Sequence, residues 1–206
     1  MATCLIRAPK ARSGLMPAVV VFALLMVLQF VAMSPVQAAS AGQYLTVDEF
    51  LSLGFGEDAK PEPKVLWLTP ALKARIKTIR GKEFPLLRVR YWQLGQKTAW
   101  ILEEIGKEMP ITIGVVVDLD SADGKSLAVS RVDILAFRES RGWEVRHDFF
   151  TEQFKGAVLV RDDILSQHID GITGATLSVR AVKQVARIAL LLADAVQPSA
   201  DSSTAE

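Results

Sequence analysis

Ile111-Thr112-Ile113-Gly114-Val115-Val116-Val117-Asp118-Leu119 and Leu127-Ala128-Val129-Ser130-Arg131-Val132-Asp133-Ile134-Leu135 set the fold class of this chain. Both stretches are rich in β-branched residues, whose stiff side chains pack well on a pleated surface. Asp123-Gly124 stands between them in a short loop, so the two are predicted to pair as an antiparallel hairpin. Upstream, Leu87, Val89 and Tyr91 alternate with Arg88, Arg90 and Trp92, a period of two. Gly95-Gln96 then turns the chain into a returning strand from Thr98 to Ile105. The expectation is an antiparallel sheet of about four main strands.

Helical signals flank this sheet, which makes the class α+β. Thr46-Val47-Asp48-Glu49 has the pattern of a capping box and opens a short helix that Gly54 and Gly56 end. Lys60-Pro61-Glu62-Pro63 reads as a stiff connector. Thr69-Pro70 is a cap followed by proline at the first helical position, with Gly81 as the stop after Arg80. His147 to Phe154 has room for one or two helical turns. Leu177, Val182, Val185, Ala186, Ala189, Leu192 and Ala193 form the apolar stripe of a last amphipathic helix that ends near Val196. Trp67, Trp92 and Trp100 read as core.

The chain has 206 residues, half of them hydrophobic, and a formal net charge of +1. Arg7, Lys10 and Arg12 form a basic start without a nearby acid, and an uncharged apolar run extends from Leu15 to Met33. Pro35 breaks that run, and Val36-Gln37-Ala38 offers small residues for a signal peptidase. Residues 1–38 are therefore expected to be a signal peptide or an uncleaved membrane anchor, two readings that the run's length leaves open. Either one puts the remaining chain outside the cytoplasm, because the basic flank stays inside. The expected divisions are a helical extension over 39–85, a main domain over 86–196 and a disordered tail over 197–206.

Composition excludes several functions. Cys4, the single cysteine, precedes the expected cleavage point, so the exported part has no disulfide and no thiolate ligand. His147 and His168 are the only histidines, too few for an ordinary zinc site. Beyond residue 38 the chain carries three fewer Lys/Arg than its total of 24, against all 23 Asp/Glu. No basic stripe points to nucleic acid.

Asp170-Gly171-Ile172-Thr173-Gly174-Ala175-Thr176-Leu177-Ser178 stands directly before the last helix. Its glycines permit turns and close approach of a bulky ligand to the main chain. The hydroxyls of Thr173, Thr176 and Ser178 gather where unpaired amides and the positive dipole end of the helix favour an anion such as phosphate. Thr173 or Thr176 can equally be an ordinary helix cap. No Gly-Lys-Ser/Thr follows the glycines, which excludes a phosphate-binding P-loop.

The stretch Asp170 to Thr176 resembles the flavinylation motif of the FMN-binding domain family. That family includes the periplasmic flavin subunits of the sodium-pumping NADH:quinone oxidoreductase and of the related Rnf complex. The resemblance implies that a separate flavin transferase esterifies the hydroxyl of Thr176 to the phosphate of FMN. It further implies that Thr173, Gly174 and Ala175 surround that phosphate and that Asp170 is needed for recognition or metal-assisted transfer, while Gly171 and Ser178 join the site by their place at the helix start. Phe137-Arg138-Glu139-Ser140-Arg141-Gly142-Trp143 is similar to the family loop that borders the isoalloxazine ring, so Glu139, Ser140, Gly142 and Trp143 are implied cofactor contacts. Phe149, Gln153-Phe154-Lys155-Gly156, Gly106-Lys107 and Pro110-Ile111-Thr112 are also similar to family segments. Where the pump subunits carry Thr-Pro-Gly-Leu-Gly, this chain has Ser140-Arg141-Gly142-Trp143-Glu144, a difference that points to a standalone relative. The implied function is an exported electron-transfer flavoprotein with a membrane-bound redox partner. The alternative is an exported binding or scaffold domain whose Gly-Ala-Thr turn is only a cap.

Overall fold

Thr46 and Glu49 close the expected capping box, with the Thr46 hydroxyl accepting from the Glu49 amide at 3.2 Å and the Glu49 carboxylate accepting from the Thr46 amide at 2.7 Å. Helix α1 follows over Val47–Phe55 and ends at Gly56. The structure is a computed structural model that describes residues 42–119 and 126–197. The expected signal segment, the Asp123-Gly124 turn and the acidic tail lie outside those residues. Among the described residues no helix is long and apolar enough to cross a membrane. Residues 40–206 form one compact unit, and both hydrophobic clusters lie within it.

The sheet has five strands in the order of the chain, all antiparallel: β1 over Glu62–Trp67, β2 over Arg88–Leu94, β3 over Lys97–Ile105, β4 over Pro110–Leu119 and β5 over Leu127–Phe137. Four of these match the sequence expectation. The fifth is β1, which the prolines at 61 and 63 disguise as a connector. Proline cannot donate to a ladder and is tolerated on an edge strand, and β1 is such an edge, paired to β2 alone. Trp67 accordingly is not core. It is 63% exposed, with the Arg88 guanidinium 5.5 Å from its ring centre, whereas Trp100 is fully buried and stacks on Tyr91 at 4.7 Å.

One face of the sheet carries the main core. Trp100, Leu102, Ile111, Ile113, Val115 and Val132 pack there with Ile76 and Ile79 of helix α2 (Pro70–Arg80) and with the last helix. That last helix runs from Thr176 to Val196 and buries Val182, Val185, Ala186 and Ala189. Between β5 and it, the chain forms a 3-10 turn over Trp143–Arg146, the single-turn helix α3 over Asp148–Thr151, a second 3-10 turn over Glu152–Phe154 and a two-strand ribbon, β6 (Leu159–Val160) with β7 (Ile164–Leu165). The last helix is therefore α4.

A buried ion pair locks α2 to the sheet, with Arg80 Nε 2.5 Å and Lys82 Nζ 2.8 Å from the Glu104 carboxylate. Burial alone would raise the pKa of Glu104, but the two cations outweigh it and hold the carboxyl below its ordinary range. From α4, the Gln184 amide donates to the carbonyls of Ile79 and Arg80, 3.2 Å from each, so the open end of α2 is satisfied. The opposite face of the sheet is covered only in part, by Phe50 of α1 over Ala99, Val116 and Leu135.

Candidate functional site

The site is built around the start of α4. Gly174 has φ +83, a left-handed turn that favours glycine, and it lets the Ala175 amide reach the Ile172 carbonyl at 3.0 Å. Ala175 then occupies the N-cap position and supplies no side-chain hydrogen bond. The amides of Thr176, Leu177 and Ser178 lie in the first turn, where a helix has no intrachain acceptor to offer. Thr176 stands at the first helical position with its side chain exposed, and neither it nor Thr173 caps the helix. The choice that the sequence leaves open between a cap and an anion site is thereby narrowed: the cap is absent.

The loop after β5 forms the facing wall. Gly142 has φ +87, and a Cβ there would sit 2.5 Å from Ser178 Oγ and 3.4 Å from Ala175 Cβ. Only glycine lets the loop lie this close to the helix start. Three residues earlier, Glu139 Oε1 accepts from the amides of Lys107, Glu108 and Met109 at 2.5, 2.7 and 3.0 Å. Burial works to raise the Glu139 pKa, but these three donors outweigh it and the carboxyl is held below its ordinary range. Its work is to fasten the β3–β4 turn to the 139–143 loop. Lys107 is thereby carried to the edge of the site.

Between these parts lies a cavity of about 590 Å³, lined by Lys107, Glu139, Ser140, Arg141 and the run from Gly174 to Ser178. Small-molecule sites span roughly 300–1,000 Å³. Two cations, three free first-turn amides and the hydroxyls of Ser140, Thr176 and Ser178 face one space, a donor set suited to a phosphate group.

Residues 106–191 match the family model described as the FMN-binding domain. That stretch is similar to the domain of this family. Neither the curated proteins nor the solved structures contain a match to the chain. The matched stretch opens at Gly106, beside the cavity wall, and closes within α4, so it includes every residue that lines the cavity.

Of the residues singled out from sequence, Glu139, Ser140, Gly174, Ala175, Thr176 and Ser178 come together on the cavity wall, and Gly142 packs against two of them. Asp170, Gly171 and Thr173 lie on the exposed approach to it and do not line it. Trp143 is also outside the wall. It is 42% exposed, meets His147 edge-on at 5.2 Å and has the Arg146 guanidinium 5.0 Å from its ring centre. Lys107 and Leu177 are wall residues absent from the implied set, and Arg141, which by its chemistry suits a phosphate or a reduced flavin or is simply a solvated loop charge, lines the wall as well. Gln153 is a further supporting residue. Its side-chain oxygen accepts from the Asp170 amide at 2.7 Å while its nitrogen donates to the Phe149 carbonyl at 3.1 Å, so it fixes the start of the motif loop. No local pattern announces these roles, because each depends on pairings between segments distant along the chain.

Proposed function

We propose that the chain is an exported electron-transfer flavoprotein whose FMN is bonded covalently, through its phosphate, to Thr176 Oγ. The observation that carries this reading is the exposed Thr176 hydroxyl on an uncapped helix start beside the cavity. Two features support it, the family of residues 106–191 and the donor set of Lys107, Arg141 and the first-turn amides. A phosphodiester keeps one negative charge, which a helix N-terminus stabilises by roughly 0.3–1 kcal/mol.

Condensing a hydroxyl with free FMN in water is unfavourable, so attachment needs an activated FMN phosphoanhydride and a flavin transferase. The new bond joins Thr176 Oγ to phosphorus, the anhydride P–O bond breaks, and the Oγ proton leaves with the departing phosphate. Bound flavin supplies one- and two-electron chemistry, while the protein anchors and tunes it. Covalent anchoring suits a domain outside the cytoplasm, where lost FMN is not readily replaced. Export follows from Arg7 to Ala38, with the domain in the periplasm or tethered at the outer face of the inner membrane. A membrane-bound redox partner completes the reading.

Intact mass of the chain co-expressed with a flavin transferase tests the attachment. A gain of one FMN less one water, with yellow colour that survives denaturation, is the expected result. A colourless protein of unmodified mass would overturn it. N-terminal sequencing of periplasmic and membrane fractions tests export: a start at Ala39, or an intact chain in the membrane, is expected. Recovery of the intact chain in the soluble cytoplasm would sink both forms of it.

A further inference from the structure

The face of the sheet opposite the main core has an open half. Phe50 covers Ala99, Val116 and Leu135, whereas of α1 only Val47 borders the groove beside β1 and the start of β2. There the antiparallel register sets Val65 opposite Arg90 and Trp67 opposite Arg88, and directly paired residues share one face. Val65 is 48%, Trp67 63% and Leu86 47% exposed. Beside them runs a groove of about 560 Å³, whose lining includes Phe84, Leu86, Arg88, Arg90, Trp92 and Ile105.

Charge identifies the occupant. Nearby carboxylates already have cations: Glu104 has Arg80 and Lys82, Glu83 has Lys77, and Glu103 has Arg138. Among the described residues, Arg88 and Arg90 form no ion pair, and the Arg88 guanidinium rests on the Trp67 ring. The surface thus offers two unmatched guanidinium groups beside an exposed indole and aliphatic side chains. A second copy docked by a two-fold axis would face this patch with itself and bring like charges together. A bilayer surface containing anionic phospholipid matches both halves of the chemistry, since indoles settle at the headgroup level and arginines meet the phosphates. We propose that this face, centred on Trp67, Arg88 and Arg90, rests on an anionic membrane surface. The inference is independent of the flavin site.

The compact unit of residues 40–206 permits a clean test, because it lacks the Leu15–Met33 run and has no overall positive charge. Its flotation with vesicles of phosphatidylcholine and phosphatidylglycerol (3:1) is compared with flotation on phosphatidylcholine alone. Binding to the mixed vesicles only, with release in 0.5 M salt, is expected. The double variant Arg88→Gln/Arg90→Gln should lower partitioning about thirtyfold, from roughly 1 kcal/mol per surface cation. Trp67→Ser should weaken it as well, and Arg161→Gln/Arg180→Gln should leave it unchanged, all with wild-type circular dichroism. No flotation on mixed vesicles would overturn the proposal. So would equal loss in the Arg161/Arg180 control, or concentration-dependent self-association that Trp67→Ser abolishes without any vesicle binding.

Discussion

Among the described residues three helices begin beside a threonine, and they use it in two different ways. At α1 the Thr46 hydroxyl accepts from the Glu49 amide, and at α2 the Thr69 hydroxyl accepts from the Leu72 amide at 3.2 Å. Both helices are short and close their own ends. α4, at 21 residues, is the longest among the described residues, yet its cap is Ala175 and the nearby hydroxyls leave its first turn open. A chain that twice spends threonine on capping and withholds it at the third start keeps those donors for something else. A free helix start is a stability cost of about 1 kcal/mol that natural sequences accept where function requires it.

The largest effect that would break this contrast comes from Thr176→Ala. It removes the proposed attachment atom, so covalent flavin should fall from stoichiometric to none, read by intact mass and by fluorescence in a denaturing gel. Thr176→Ser keeps a hydroxyl and should retain part of the attachment, as should Thr173→Ala, because Thr173 does not line the cavity. A Thr176→Ala protein that still fluoresces after denaturation would move the bond to a neighbouring hydroxyl.

Gly142→Ala should come next. Its Cβ would lie 2.5 Å from Ser178 Oγ at a backbone φ of +87, so the loop must lift from the helix start. A stability loss of about 1–3 kcal/mol in urea unfolding is expected. Thr69→Ala should cost about 1 kcal/mol through its lost cap and leave flavin attachment at the wild-type level. If Thr69→Ala and Thr176→Ala lower stability equally, the two threonines have the same role and the contrast fails.

Much of this was legible in the sequence because the signals are local. Thr46, Thr69-Pro70 and Gly81 mark helix ends by their own chemistry, and period-two alternation exposes β2. The match of 106–191 to a known family likewise follows from a contiguous motif. What escaped is non-local. β1 is a strand only because β2 offers it a ladder, and its prolines hide it. Trp67 looked like core because an indole usually is, but an edge strand leaves one side bare. The cavity needs Glu139 to bind amides some thirty residues away, which no spacing rule describes. Asp170 stands apart from the wall for the same kind of reason: Gln153 holds its backbone, and its carboxylate points to solvent with His168 Nε2 3.6 Å away.

The smallest predicted effect concerns acid, and it separates amides that carboxylates hold from amides left free. Glu49 at α1 and Glu139 at the cavity wall both accept backbone N–H groups, and both pKa values are lowered from 4.5. For Glu49 the main cause is the Thr46 amide; for Glu139 burial opposes the shift, and the amides of residues 107–109 outweigh it. A carboxyl whose folded pKa lies below its unfolded value contributes stability that is fully present above about pH 4.5. That contribution disappears as pH falls through the folded value. Glu139→Gln removes the charge but keeps the shape, so the gap between wild type and variant in urea midpoint should be widest at pH 6. It should close as pH falls toward 3. A gap that persists at pH 3 would mean that Glu139 acts through packing. The first turn of α4 has no such carboxylate, and a phosphodiester there would stay singly charged, so its contribution to stability should not change with pH over that range.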